Sequence, residues 1–264
     1  MCLLVIAWGV HPRYPLLIAG NRDELHARPA AGLHWWDDPA GLLAGRDLEA
    51  GGTWLGVASS GRVGVVTNAG VGRRTVAGTP SRGAFVPRFA VSRAAATHFA
   101  ASLASEADTY AGFNLLLHDG RDLVFASNWP SFATRVLPPG VYGLSNDVLD
   151  VPWPKVIRTR QRFAALLADE EPKRDAMLAA FTDTAPASAA ELAAPGREQD
   201  LNLTPPFLLD PVYGTRCTTL VLVAADGTID VEEQRYDATG LVCGTRAERF
   251  RTSSPAPVAG TAIP

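Results

Sequence analysis

The second residue of this chain is a cysteine, and its place decides what chemistry it can do. An initiator methionine can be removed when the next side chain is small, and loss of Met1 would leave Cys2 with a thiol and a free α-amine. The amine ordinarily titrates at about 7.7–8.0 and the thiol at about 8.5, so the amine can take the thiol proton with no separate histidine base. That is the chemistry of an N-terminal nucleophile attacking a carbonyl. The plainer role for Cys2 is a small hydrophobe at the mouth of a core strand, because the apolar run Leu3-Leu4-Val5-Ile6-Ala7-Trp8 follows at once.

Other groups at strand ends could complete such a site. Asn21-Arg22-Asp23-Glu24 closes one apolar run, Thr67-Asn68 another and Ser145-Asn146-Asp147 a third, and Thr215-Arg216-Cys217 opens a fourth. Singly, each reads as a turn or a rim pair. Together they hold the parts of a thiol amidohydrolase. Asp23 could hold the amine of Cys2, Arg22 or Arg216 could lower the thiol pKa by charge, and Asn68 or Asn146 could donate to an oxyanion. The five histidines (His11, His26, His34, His98 and His118) are scattered and show no metal spacing. A Cys-His dyad through His26 or His34 is the weaker alternative. Trp54 and the pair Trp35-Trp36 either line an apolar pocket or pack.

Positioning these groups requires strands. Cys2–Trp8 reads as a strand buried on both faces and, across His11–Pro15, forms a hairpin with Leu16–Ala19. An aromatic loop containing Trp35-Trp36 follows. Gly51–Ala58 and Val63–Asn68 make a second hairpin, Phe113–Leu117 and Leu123–Ser127 a third, and Thr218–Ala224 and Thr228–Gln234 a last one; Val141–Asn146 is a further strand. Helical spacing appears within Arg82–Ala107, in Trp153–Ala168 and in Ala176–Ala194. Antiparallel hairpins with helices in blocks between them predict an α+β fold of two packed sheets with helices outside, not a doubly wound βαβ sheet. No glycine-rich phosphate loop opens a helix. Residues 1–250 are expected to form one domain, and 251–264 a disordered tail poor in bulky side chains.

Composition narrows the function classes. The chain has 264 residues, 47% hydrophobic and 19% charged, with 24 Lys+Arg against 27 Asp+Glu, a formal net charge of -3. That balance leaves no basic footprint for nucleic acid or an anionic membrane surface. Three cysteines without CxxC spacing argue against a disulfide framework and a zinc site, and the first apolar run is too short to span a bilayer. A cytoplasmic protein is expected, without a metal or cofactor and without membrane insertion.

The Met-Cys start followed by Asn21-Arg22-Asp23-Glu24 resembles the NRDE family, related to transport and Golgi organisation protein 2. The likeness runs through residues 44–56 (Ala44-Gly45-Arg46-Asp47 to Trp54-Leu55-Gly56), Pro80-Ser81-Arg82-Gly83, Gly112-Phe113-Asn114-Leu115 and Tyr142-Gly143-Leu144-Ser145-Asn146. It continues through Pro152-Trp153-Pro154-Lys155 and Tyr213-Gly214-Thr215-Arg216-Cys217, and so covers the chain to about Tyr236. Trp129 stands where that family often has Arg. The resemblance implies an N-terminal nucleophile hydrolase fold, a four-layer αββα sandwich similar to choloylglycine hydrolase and penicillin acylase relatives. It implies Cys2 as nucleophile, Asp23 orienting its amine, Asn146 in the oxyanion hole and Arg216 as a nearby charge, and carries over Arg22 and Asn68 as well; with Asn21 and Trp54 these two are the candidate binding residues. Cleavage of a small amide or related acyl bond is the activity expected. The family's links to haem trafficking and to lipid or acyl-CoA homeostasis set the alternative, a carrier that holds haem or an acyl-CoA-like ligand in the same pocket without turnover.

Overall fold

Five consecutive apolar residues at Leu3–Ala7 are completely buried because both faces of their strand, β1 (Cys2–Trp8), are covered. In the computed structural model, which describes residues 2–70, 78–193 and 203–252, β1 lies between β2 (Leu16–Leu25) and β10 (Gly140–Leu144). One sheet has the order β10-β1-β2-β11-β12-β13, where β11 is Tyr213–Val223, β12 Thr228–Tyr236 and β13 Val242–Arg251. The second runs in chain order from β3 (Ala30–Asp37) and β4 (Ala40–Asp47) through β5 (Leu55–Ala58), β6 (Val63–Asn68), β7 (Phe113–His118) and β8 (Leu123–Ser127) to β9 (Ala133–Val136). Every strand pair is antiparallel.

The period of two along each strand sorts residues into layers. Leu4, Ile6, Ile18, Leu43, Leu116 and Val221 form the core between the sheets. Leu3, Val5, Leu17 and Ala19 point to the opposite face of the first sheet and pack on α3 (Pro154–Leu166) and α4 (Arg174–Ala179) through Val156, Phe163 and Met177. On the outer face of the second sheet, α1 (Phe85–Val91) and α2 (Ala96–Ser102) contribute Phe85, Phe89 and Phe99 against Phe113 and Leu115. The layers therefore run α, β, β, α, the four-layer α+β sandwich expected. Each fully buried Leu, Ile, Val or Phe contributes about 1.5–3 kcal/mol.

Several boundaries differ from the sequence reading. The aromatic loop is the hairpin β3–β4, and the strand expected from Gly51 begins only at Leu55, because residues 48–54 turn the chain from β4 into β5. β2 does not stop at Ala19 but continues through Asn21–Leu25. Arg82–Ala107 resolves into α1, α2 and short 3-10 turns, and Ala176–Ala194 into the end of α4 and α5 (Ala189–Leu192). The tail beyond Thr252, Met1 and Ala194 lie outside the described residues.

Candidate active site

A cleft of about 590 Å³ opens over the Cys2 end of β1, and its lining includes Cys2, Arg22, Trp54, Asn68, Arg82 and Arg216. Its size suits a small-molecule site. Cys2 shares the inter-sheet face with Leu4 and Ile6 and is half-buried. Its backbone nitrogen donates to Asn146 Oδ1 at 2.9 Å, and its carbonyl accepts from Ser145 Oγ at 2.8 Å. Asn146 Nδ2 in turn donates to the carbonyl of Asn68 at 2.9 Å, and the Gly70 N–H donates to the Asn146 carbonyl at 3.0 Å. Asn146 thus ties Cys2 in one sheet to the end of β6 in the other. With its oxygen on the nitrogen of Cys2 and an N–H on Asn68, its bonds fit a holder of that nitrogen better than the oxyanion donor expected.

Burial pushes Cys2 above its ordinary pKa, against the pull of the chain's terminal ammonium, of Arg22 and of the Asp23 backbone N–H. That opposes the expectation of a lowered pKa. A nearby amine would have to take the proton during the reaction. Asp23 pairs with Thr215 across β2 and β11 and accepts from Thr215 Oγ1 at 2.7 Å; its carbonyl accepts from Tyr213 Oη at 3.0 Å. Burial raises the Asp23 pKa, while the terminal ammonium and Lys155 lower it.

The other expected residues divide. Arg22 stands beside Cys2 in register and makes ion pairs with Asp47 at 3.3 Å and Glu24 at 3.6 Å. Burial works against ionisation of Asp47, but the Arg28 bond at 2.6 Å and the amides of Ala50 and Glu49 hold its carboxyl below the usual range. Arg216 occupies the bulge between Thr215 and Cys217, and its Nη1 donates to the carbonyls of Leu25, His26 and Arg28. It clamps the turn after β2, and the guanidinium acting on the thiol is Arg22. Asn21 is fully buried on the helix side, donating to the carbonyls of Phe181 and Pro206, each at 2.9 Å, and accepting from Thr218 Oγ1 at 2.6 Å. Its role is architectural, not ligand binding. Asn68 and Trp54 line the cleft, whereas Trp36 is buried and donates to the Ala44 carbonyl, and Trp35 stacks edge-on with Phe250. Among the described residues no histidine lines the cleft, so a Cys-His dyad finds no support.

A sequence model of the family described as Transport and Golgi organisation 2 matches residues 1–238. The chain belongs to that family. A Transport and Golgi organization protein 2 homolog from Bos taurus is 32% identical over 256 residues, covering 89% of this chain and 92% of the relative. The human homolog is 30% identical with the same coverage, and the Drosophila melanogaster protein is 25% identical over 91% of this chain and 93% of its own. Among solved structures, a Caenorhabditis elegans N-acylethanolamine-hydrolyzing acid amidase ortholog superposes with a TM-score of 0.48 at 10% identity, over 84% of this chain and 92% of that one. A mutant conjugated bile acid hydrolase from Clostridium perfringens gives 0.41 at 9%, over 95% and 97%. No activity passes to this chain from overlaps that loose.

Two residues of this Transport and Golgi organisation 2 relative went unread as site residues. Lys155, in the first turn of α3, is completely buried, and burial lowers its pKa while Asp23 and Cys2 raise it. Its signal was a lysine on the apolar stripe of a helix, next to Val156 and one turn from Thr159. Arg82 lines the cleft from the 3-10 turn Arg82–Ala84, and the charge of Cys2 reaches it. Cys217 lines the cleft too, but burial and Glu233 push its thiol well above the ordinary range, which makes it a poor nucleophile. Among the described residues no helix is long and apolar enough to cross a membrane.

Proposed function

We propose that this protein is an N-terminal nucleophile amidohydrolase whose chain begins at Cys2 once Met1 is removed. The observation that carries this reading is the Cys2 nitrogen on Asn146 Oδ1 at 2.9 Å while the thiol lines the cleft. In the shortened chain that nitrogen is the α-amine. It takes the proton from Sγ as sulfur forms its bond to the substrate carbonyl carbon. The carbonyl oxygen becomes an oxyanion beside Asn68, whose side chain is exposed and lines the cleft, while Asn146 holds the Cys2 nitrogen. The C–N bond breaks, the leaving amine takes the proton from the α-ammonium, and water cleaves the thioester with the amine again as base. Asp23 balances the ammonium that forms in each half.

The test is intact-mass measurement of protein made in its own host, with turnover of an acyl-amide panel by wild type and Cys2→Ala. Loss of one methionine, and turnover that disappears in the variant, support the reading. Retained Met1, or equal turnover by both proteins, refutes it. A carrier of haem or acyl-CoA would instead bind those ligands without turning over any amide.

A further inference from the structure

Among the described residues six arginines line the cleft, and they differ in what holds them: Arg235 makes no ion pair, but it packs against the backbone at Gly32 and Gly244 and its charge acts on Glu233. Arg22 and Arg28 are neutralised by Asp47, with Glu24 and Glu49 adding to the network. Arg216 is spent on three backbone carbonyls, and Arg46 lies over the Trp36 ring at 4.2 Å with its Nε on the Gly51 carbonyl. Arg82 has one protein bond, from Nη1 to the Gly112 carbonyl at 2.9 Å, and among the described residues it makes no ion pair. A guanidinium carries five N–H donors in a fixed fork, so most of this one is uncommitted.

Its mounting is rigid. Thr53 N–H donates to the Gly83 carbonyl at 3.1 Å, and a Cβ on Gly52 would lie 2.5 Å from the Gly83 carbonyl carbon. The 3-10 turn is thus pressed backbone to backbone against the chain entering β5. Its far end is equally tight: a Cβ on Gly112 would lie 2.2 Å from the Ala69 carbonyl oxygen, and Ala69 N–H donates to the same Gly112 carbonyl that Arg82 uses. Burial works against the charge of Arg82, and Cys2 and Glu24 are the groups that favour it. Arg82 and Cys2 act on each other, but the larger pulls on the thiol come from the terminal ammonium and Arg22. A partly buried guanidinium without a paired carboxylate, in the same cleft as the nucleophile, lacks its counter-charge, and binding an anion there offsets the desolvation.

We propose that the cleft selects acyl amides carrying a carboxylate or phosphate close to the scissile bond, and that Arg82 binds that anion. The inference rests on the amidohydrolase reading for turnover, but the anion site itself does not need turnover. Three matched pairs probe it: an N-acylglycine against its N-acylglycinamide, a monoamide of a dicarboxylic acid against that of a monocarboxylic acid, and an N-acyl-O-phosphoethanolamine against its N-acylethanolamine. They separate a carboxylate on the amine side, a carboxylate on the acyl side and a phosphate.

The readouts are kcat/KM and calorimetric affinity, the latter in Cys2→Ala, for otherwise wild-type protein, Arg82→Gln and Arg82→Lys. In at least one pair the anionic member should be preferred about 10- to 100-fold, the range for a charged hydrogen bond, and Arg82→Gln should bring that ratio close to one. Arg82→Lys should recover part of it, because the charge returns without the fork. Equal use of both members in all three pairs overturns the proposal, as does a preference that survives Arg82→Gln. If nothing is hydrolysed yet the Arg82-dependent preference appears in the affinities, the amidohydrolase reading fails and the anion site stands.

Discussion

Lys155→Met should weaken the fold by about 3–5 kcal/mol, and neutralising Asp23 as well should restore most of that loss. Lys155 is 0% exposed and Asp23 3%, and each moves the other's pKa toward the charged form. Removing one member of a buried pair strands a charge, at about 3–5 kcal/mol, whereas replacing both by uncharged groups is often neutral or better. For a chain of this length the single change corresponds to a fall in Tm of roughly 6–20 °C. The pH dependence has a fixed sign. Burial already holds the Asp23 pKa above its ordinary 3.8 in the folded protein, so the folded state binds that proton more tightly than the unfolded chain does. The resulting destabilisation is absent below the unfolded pKa, grows as pH rises past it and levels off above the folded pKa. Without the Lys155 ammonium the folded pKa rises further, so the penalty should be larger at about pH 8 than at about pH 5. Urea unfolding of wild type, Lys155→Met, Asp23→Asn and the double variant at both pH values measures it. A single variant within about 1 kcal/mol of wild type, or strictly additive losses in the double, would refute the coupling.

Three further outcomes follow from other residues. His118 is buried and its pKa is lowered from 6.5 to about 4, first by burial; the unfolded chain therefore takes up a proton across that window while the folded one does not, and stability falls with acidification by on the order of 3 kcal/mol. His118→Gln should flatten this limb in urea midpoints taken between about pH 4 and pH 7, and an unchanged slope contradicts the assignment. Asn21→Ala removes bonds to Phe181, Pro206 and Thr218 and should lower stability by about 2–4 kcal/mol with KM unmoved; a raised KM with normal stability would return Asn21 to the ligand. Gly112→Ala places a methyl 2.2 Å from the Ala69 oxygen and should lower stability by about 2–3 kcal/mol, and a Tm equal to wild type would show that the two strand ends can part freely.

How much of this was legible in the sequence depends on what each element buries. Cys2–Trp8 announced itself because covering both faces of a strand demands an unbroken apolar run. β13 did not: it is an edge strand with Arg246, Glu248, Arg249 and Arg251 on it, so it lacks the apolar alternation that marks a strand, and charge is how exposed edges resist pairing with other chains. β9 is exposed at all four positions and was missed for the same reason. β3–β4 read as a loop because glycines at 32, 41 and 45 and two register shifts break its pattern. At the site, residue types pointed to Cys2, Asp23 and Asn146, but not to which atom faces which. The bonds of Asn146 to Cys2 and Asn68 depend on two sheets meeting, and that meeting has no local signal. Arg216 was expected near the thiol from its place at a strand end and from the family resemblance; at the bulge it lines the cleft, but its Nη1 is held by the carbonyls after β2.

That bulge also sorts the charges. Along β2 successive side chains alternate faces, so Arg22 shares the inter-sheet side with Cys2, while Asp23 shares the helix side with Asn21. The sulfur therefore has the guanidinium on its own side of the sheet, and the carboxylate lies on the side of α3 and Lys155. β11 must serve both faces with residues of the same parity, since Thr215 opposes Asp23 and Cys217 opposes Arg22. An uninterrupted strand cannot do that, because positions two apart point the same way while their partners here are only one apart. The extra residue, Arg216, resolves the mismatch. Beyond it Thr218 reaches the Asn21 oxygen at 2.6 Å and Val221 enters the inter-sheet core. A slip of one residue would exchange Arg22 and Asp23 between the faces, placing a carboxylate against the thiol and a guanidinium in the helix layer beside Lys155. The buried bonds of Asn21 resist that slip, which gives this strand a physical reason to carry a fully buried asparagine immediately before its two charges.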